Sequence, residues 1–332
     1  MQQHPNGTII ILSYPDTIVR PAYWEKITKF LPKIGVGSKH AVQAGHAALL
    51  LLKKNCSEIN YYDFGRYITS YGNGRVRCKE TDPELVVPIK ALFENNKLIN
   101  LKEILLWLEK HPEKTHGEGR LVASANHEVN FEKANNYINS LICKKEIPYG
   151  AFIKNASNCA RFVTDTLIAS VIDKKTIKRL KKSTLITPSP LGNVLKASSD
   201  NLIFSVYLQK TEKYKNRSLA KEYKSTFLKK LDITPNLIGT EKPNLNLFNP
   251  KNGTWLGGIG SGAWFMIEEK LGKNIYRIAR YSFSGIKDFE GLFETTDTNF
   301  CMHKEYSFVH PTSCVEAIIL QRNQLVKLHV IK

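Results

Sequence analysis

Asn158-Cys159-Ala160-Arg161-Phe162-Val163-Thr164-Asp165-Thr166-Leu167-Ile168-Ala169-Ser170-Val171 is the stretch whose reading decides this chain. It reads as a cysteine in the first turn of a buried helix. The unpaired backbone N–H groups and the positive dipole end at such a start favour a thiolate over a thiol. A thiolate there is either an accident of packing or a nucleophile. A nucleophilic cysteine needs an imidazole to hold it as an ion pair and to protonate the leaving group. Of the nine histidines, His46 is the best placed, because it opens the apolar run Gly45-His46-Ala47-Ala48-Leu49-Leu50. A polar ring at the mouth of a buried strand is costly unless it is paired. Read alone, His46 is a satisfied strand-end histidine; read with Cys159, it is a general base.

The remaining composition bounds the answer. A chain of 332 residues, 42% hydrophobic and with mean hydropathy -0.28, can bury a full core and fits a soluble two-domain protein. No apolar run approaches the ~20 residues that span a bilayer; the longest is Ala47-Ala48-Leu49-Leu50-Leu51-Leu52. The N-terminus shows no secretory signal, so the expected compartment is the cytoplasm, with export by a route that needs no N-terminal mark as the alternative. Six scattered cysteines do not make a disulfide framework. Forty-eight Lys and Arg against thirty Asp and Glu give +18, which suits an anionic partner: a phospholipid surface, a cell-wall polymer or nucleic acid. No nucleic-acid module accompanies the charge, and lysines spread along a solvated surface account for it equally well.

Along the chain, residues 8–13 read as a buried strand and residues 23–31 as a helix stopped by Pro32. Residues 46–52 and 59–64 read as two antiparallel strands, with Tyr71-Gly72-Asn73-Gly74-Arg75 as a turn. Asn100 caps an expected helix over 101–109, residues 121–125 form a strand, and residues 131–142 form an amphipathic helix. Residues 174–182 are strongly basic. Residues 201–207 resemble an edge strand, and residues 210–230 are lysine-rich and partly helical. Alternating strands over 263–268, 275–281, 306–310, 315–321 and 325–331 predict an all-β module. The domains expected are 1–200 (catalytic), 201–245 (connector) and 246–332 (β module).

The order His46 first, Cys159 later resembles the permuted papain-like group of the NlpC-type superfamily, which includes lecithin:retinol acyltransferase and bacterial hydrolases. Gly45-His46-Ala47-Ala48-Leu49 and Asn158-Cys159-Ala160-Arg161-Phe162-Val163 match its two halves. Pro148-Tyr149-Gly150 resembles the segment leading into the nucleophile, and Tyr61-Tyr62-Asp63-Phe64-Gly65-Arg66-Tyr67 looks like the second strand. The chain as a whole, including Thr115-His116-Gly117-Glu118-Gly119-Arg120, is similar to a bacterial family of unknown function. The resemblance covers roughly residues 8 to 195. It implies an α+β, circularly permuted papain-like domain ahead of the β module, with no cofactor. It also implies thiol acyl chemistry on a peptidoglycan peptide or isopeptide amide. The alternatives are a lipid acyl hydrolase or acyltransferase, or a binding protein that keeps the fold.

Carried over, Cys159 is the nucleophile and His46 the base and acid. Asn60, Tyr62 and Asp63 compete to orient the ring; strand alternation sets Asp63 on the face opposite the other two, and Asp63 could instead pair with Arg66. Tyr149 is a candidate oxyanion or thiolate partner, or a tyrosine packed under the loop. Tyr62, Arg66, His116 and Asn158 are candidate substrate contacts. Arg66, Arg75 and Arg77 could grip a substrate carboxylate or phosphate, but a solvated turn with scattered arginines is the preferred reading, and Asn158 also reads as a helix cap. Gly258-Ile259-Gly260-Ser261-Gly262 precedes a strand and reads as a tight turn. Cys301, His303, His310 and Cys314 lack a common zinc spacing, so no metal is expected.

Overall fold

A computed structural model describes residues 4–22, 24–215, 218–231, 240–298 and 300–331. Ile9, Ile10, Ile11 and Leu12 are all fully buried because β1 (Gly7–Tyr14) runs through the middle of an eight-stranded antiparallel sheet covered on both faces. Its alternate side chains enter different cores. Ile9 and Ile11 join one cluster; Ile10 and Leu12 join the other.

Strands β2 (His46–Lys53), β3 (Asn60–Gly65) and β4 (Asn73–Arg77) follow on one side of β1. A two-residue hairpin, β5 (Phe93–Glu94) and β6 (Lys97–Leu98), stands apart. On the other side of β1 lie β7 (Leu121–Val129), then β9 (Ile203–Tyr207) and β10 (Lys210–Lys213), and β8 (Ile147–Pro148) borders β4. Helices α4 (Phe131–Ile142), α5 (Cys159–Ser170) and α7 (Pro190–Ala197) pack Ile138, Phe162, Val163, Leu167 and Val194 against one face. Helix α2 (Leu101–Lys110) seals the other with Ile104, Leu105 and Leu108.

The remaining helices are α1 (Lys26–Phe30), α3 (Pro112–Thr115), α6 (Lys174–Ser183) and α8 (Leu219–Ser225), making eight among the described residues. The second sheet has the order β11 (Thr254–Gly257), β12 (Gly262–Lys270), β13 (Ile275–Tyr281), β14 (Lys287–Glu294), β17 (Gln324–Val330), β16 (Glu316–Gln321), β15 (Ser307–Phe308). Phe308 N–H donates to Thr254 Oγ1 (3.1 Å), which draws the last strand toward the first and nearly closes the sheet around Phe265, Tyr276, Phe293 and Leu328.

The mixed α+β class with an all-β C-terminal module agrees with the reading of the sequence, and several details differ from it. Helix α1 is a short piece followed by a 3-10 turn over Leu31–Ile34 that Pro32 opens rather than stops; Tyr23, its expected start, lies outside the described residues. Asn73-Gly74 is not a turn but the first part of β4, paired with Pro148 and Ile147, while Gly72 (φ 85) takes the turn. Residues 201–207 are not an edge, because β10 flanks them. Strands β9 and β10 extend the first sheet past residue 200, into the expected connector. Within 246–332, β11 and β14 were not expected.

The two sheets meet at a buried ionic joint. Arg280 on β13 holds Glu84 and Asp288 (both 2.7 Å) and reaches Asp82 (3.4 Å), which Arg75 grips bidentately (2.6 and 2.7 Å). Nearby, Gly258 lies so close to Arg66 O and Ile68 N that a Cβ would come within 2.4 Å of either.

Candidate active site

His46 stands at the first position of β2, cross-strand from Tyr14. Gly45 (φ 73) delivers it, in a left-handed conformation that any side chain would strain. The register Ala48↔Asp63 then sets Asp63 on the neighbouring strand within reach of the ring, and His46 Nε2 lies 3.3 Å from Asp63 Oδ2. One strand further, Asp63↔Arg77 aligns a guanidinium that donates to both carboxylate oxygens (Nε to Oδ1 2.9 Å, Nη2 to Oδ2 2.5 Å). Tyr61, two residues before Asp63 on the same face, donates its hydroxyl at 3.0 Å. Asp63 and Arg77 are 0% and 2% exposed.

Burial alone would raise the Asp63 carboxyl. The Arg77 charge and the hydrogen bonds from His46 and Arg77 overcome it and hold the group far below the usual carboxylate range. For His46, burial opposes the charged ring, but hydrogen bonds to Asp63 and to Cys159, with the charges of both, push its pKa up to about 9. The raised pKa favours the charged ring at neutral pH, with the Asp63 carboxylate against its Nε2 and Cys159 among the groups that support the charge.

Cys159 is the first residue of α5. Asn158 is its N-cap: extended backbone, with Oδ1 accepting the Arg161 N–H at 2.8 Å. The loop before it is pinned at its base, where Gly150 N–H donates to Ser157 O and Ser157 N–H to Pro148 O (both 2.9 Å). Arg161 Nη2 reaches back to Ala151 O (2.8 Å). Inside the helix, the Asn193 side chain holds Ala160 O (2.8 Å).

Cys159 and His46 open into a cleft of about 880 Å³ with mostly apolar walls. Tyr149, Arg66, His116 and Asn158 line it too; Tyr62 does not. The Tyr62 expectation is corrected: its side chain packs in the core with Leu49 and Phe64, and of these only Phe64 reaches the cleft. Asn60 shares Tyr62's side of the strand, so among the three competitors only Asp63 meets His46.

The alternative Asp63–Arg66 pair does not form, because the register gives Asp63 to Arg77. Nor do the three arginines form a solvated turn: all are buried. Arg75 belongs to the ionic joint. Arg66 donates Nη2 to Arg20 O (2.5 Å), lies 4.7 Å from the Tyr149 ring centre, and has an Nη1 without a hydrogen-bond partner among the described residues. Burial lowers its pKa, and the neighbouring Tyr149 and Cys159 oppose that. Tyr149 is pushed up to about 12 by burial against the pull of Arg66. His116 (φ 50) packs its ring 4.9 Å from Tyr67, and burial together with the Arg77 charge lowers it to about 3. It is a neutral ring.

Sequence reasoning missed Arg77 as the anchor of Asp63, along with Tyr61 and Tyr67. The i, i+2 spacing of Tyr61 and Asp63 was the available signal; the Arg77 pairing depends on register. The cleft is also walled by Glu222, Tyr223, Thr226, Phe227 and Leu228 from the connector, and by Ile259 and Gly260 from the C-terminal module. The Gly258–Gly262 segment, read as a plain turn, thus reaches the site. Among the described residues, no group of three or more His, Cys, Asp or Glu is disposed to hold a metal, and no helix is long and apolar enough to cross a membrane.

Residues 253–331 match the family described as DUF6695 C-terminal domain. The chain is similar to a solved protein, the type VI secretion system effector TseH, at 16% identity, covering 64% of this chain and 100% of that one with a TM-score of 0.43. No curated protein matches it. Residues 9–176, just over half of the chain and including His46, Asp63 and Cys159, match the family described as type VI secretion system effector TseH-like; the chain belongs to that family.

Proposed function

We propose that this chain is a thiol-dependent hydrolase of amide bonds with a permuted papain-like site, and that its substrate is a peptidoglycan peptide or isopeptide. The observation that carries the reading is His46, held by a carboxylate that Arg77 locks, lining one cleft with the helix-start Cys159. In the reaction, Cys159 Sγ adds to the amide carbonyl while the oxygen collects negative charge beside the helix-start N–H of Cys159. His46 gives its proton to the nitrogen as the C–N bond breaks, releasing an amine and leaving a thioester. The neutral ring then takes a proton from water, the hydroxide adds to the thioester, and the C–S bond breaks to release a carboxylic acid. Asp63 keeps the ring oriented and stabilises its charge, as the acid does in a Ser-His-Asp triad. Arg66 and Tyr149 face substrate in the same cleft, and Asn158 holds the helix start. The catalytic residues fall within 1–200, with connector residues and the β module at 246–332 completing the cleft wall.

Membership of a type VI effector family supports an exported enzyme with a target outside the cytoplasm. The apolar cleft walls favour a second reading, a lipid acyl hydrolase. Mass spectrometry after incubation with muropeptides, and separately with phospholipid vesicles, distinguishes the two. Release of a cleaved peptide with transient acylation of Cys159, lost in His46→Ala, is expected. An adduct from lipid alone would replace the first reading by the second. Cys159 alkylation no faster than that of Cys56 or Cys143, with neither substrate turned over, would reduce the chain to a binding protein.

A further inference from the structure

Helix α6 carries Lys174, Lys175, Lys178, Arg179, Lys181 and Lys182, all exposed, and no acidic residue. It runs directly into Leu185 and Ile186, 83% and 77% exposed, the two most exposed large apolar side chains among the described residues. Four of the lysines (Lys174, Lys178, Lys181 and Lys182) ring a shallow depression that Ile177 and Leu185 complete. Ammonium groups around an apolar floor, with two aliphatic side chains projecting beside them, match the interface of an anionic bilayer. Phosphates sit at the level of the lysines, and acyl carbons lie just beneath. A nucleic acid or an anionic glycan would satisfy the charges but offers nothing to the projecting leucine and isoleucine.

We infer that α6 and the Leu185-Ile186 tip form a docking surface for a bilayer containing anionic phospholipid. Ile186 also lies on the lip of the cleft, so docking sets the cleft opening beside the lipid surface. This surface stands apart from the Cys159 chemistry and holds whichever substrate the cleft accepts.

The test is sedimentation of the full chain with vesicles of phosphatidylcholine, with and without phosphatidylglycerol, at ~0.1 M salt. Expected is binding that requires phosphatidylglycerol and weakens as salt rises. Lys178→Glu with Lys181→Glu should lower affinity by more than about thirty-fold, since each lost cation is worth ~1 kcal/mol and each new carboxylate adds repulsion. Leu185→Ser with Ile186→Ser should lower it several-fold without exposing or burying any core residue. Lys304→Glu with Lys327→Glu, on the C-terminal module, should leave it unchanged, and both lysine variants should keep the wild-type rate of Cys159 alkylation. Absence of phosphatidylglycerol-dependent binding overturns the inference, as does an equal loss in the Lys304/Lys327 variant. Wild-type binding by the Leu185/Ile186 variant also overturns it, and assigns the lysines to soluble polyanions instead.

Discussion

Asp63→Asn is the perturbation that most directly probes the site, because one carboxylate serves both the fold and the chemistry. It faces Arg77 through two hydrogen bonds of 2.9 and 2.5 Å, with both side chains out of solvent. With charge centres about 4 Å apart and an effective dielectric of ~20, their attraction is about 4 kcal/mol. Removing one partner also strands a guanidinium away from water, and the usual cost is ~3–5 kcal/mol. Arg77→Met leaves the carboxylate with only His46 and the Tyr61 hydroxyl, and should cost somewhat less. The double variant strands neither, so it should lose clearly less than the two single losses combined, with a coupling of about 3 kcal/mol.

Reactivity should behave differently. The rise of His46 from 6.5 to about 9 corresponds to roughly 3 kcal/mol favouring the imidazolium, and the hydrogen bond to Asp63 is the largest single upward pull. Asp63→Asn and the double variant should therefore both alkylate Cys159 slowly at pH 7, even where stability is recovered. Urea unfolding and iodoacetamide kinetics on the four proteins read the two effects separately. Additive stability losses would refute the buried pair. Wild-type alkylation by the double variant would refute the claim that Asp63 sustains the charge on His46.

Two further outcomes follow from the same geometry. Because the folded His46 pKa lies above its unfolded value of 6.5, its stabilising contribution is fully present below about pH 6.5 and is lost as pH rises through about 9; the stability gap between wild type and His46→Gln should shrink over that window, and a gap that widens with pH would reverse the sign argued here. Arg280→Met leaves the partly exposed Glu84 and Asp288 without their shared cation and should lower stability by ~1–3 kcal/mol, seen as an earlier urea midpoint, whereas an unmoved midpoint would show that the joint between the sheets is held by other contacts.

Sequence was most informative where local signals and burial agree. The run from His46 to Leu52 is apolar without interruption because β2 is covered on both faces, and such a run can be read without knowing its neighbours. Asn158-Cys159 announces a capped helix start for equally local reasons. The failures share one cause. Alternation tells which residues of a strand share a face, but not which residues lie opposite. Asp63 therefore had two possible partners on paper, His46 or Arg66; in the structure it meets His46 and, fourteen positions on, Arg77. The same gap made three buried arginines look solvated, since their countercharges, Asp63 for Arg77 and Asp82 for Arg75, are set by register and by the turn after β4. The reach of Ile259 and Gly260 into the cleft was illegible, because nothing local to a glycine-rich turn says what it rests upon.

The central position of β1 carries a consequence for how the molecule is made. One edge of this isoleucine-rich strand is filled by β2, soon after it in the chain, but the other waits for β7, beyond residue 120. At translation speeds of ~5–20 residues per second, an unprotected sticky edge persists for on the order of ten seconds on the ribosome. The nascent chain would be expected to need a chaperone during that interval, and synonymous codons that slow elongation between β2 and β7 should lower the yield of soluble protein more than the same codons placed after β7.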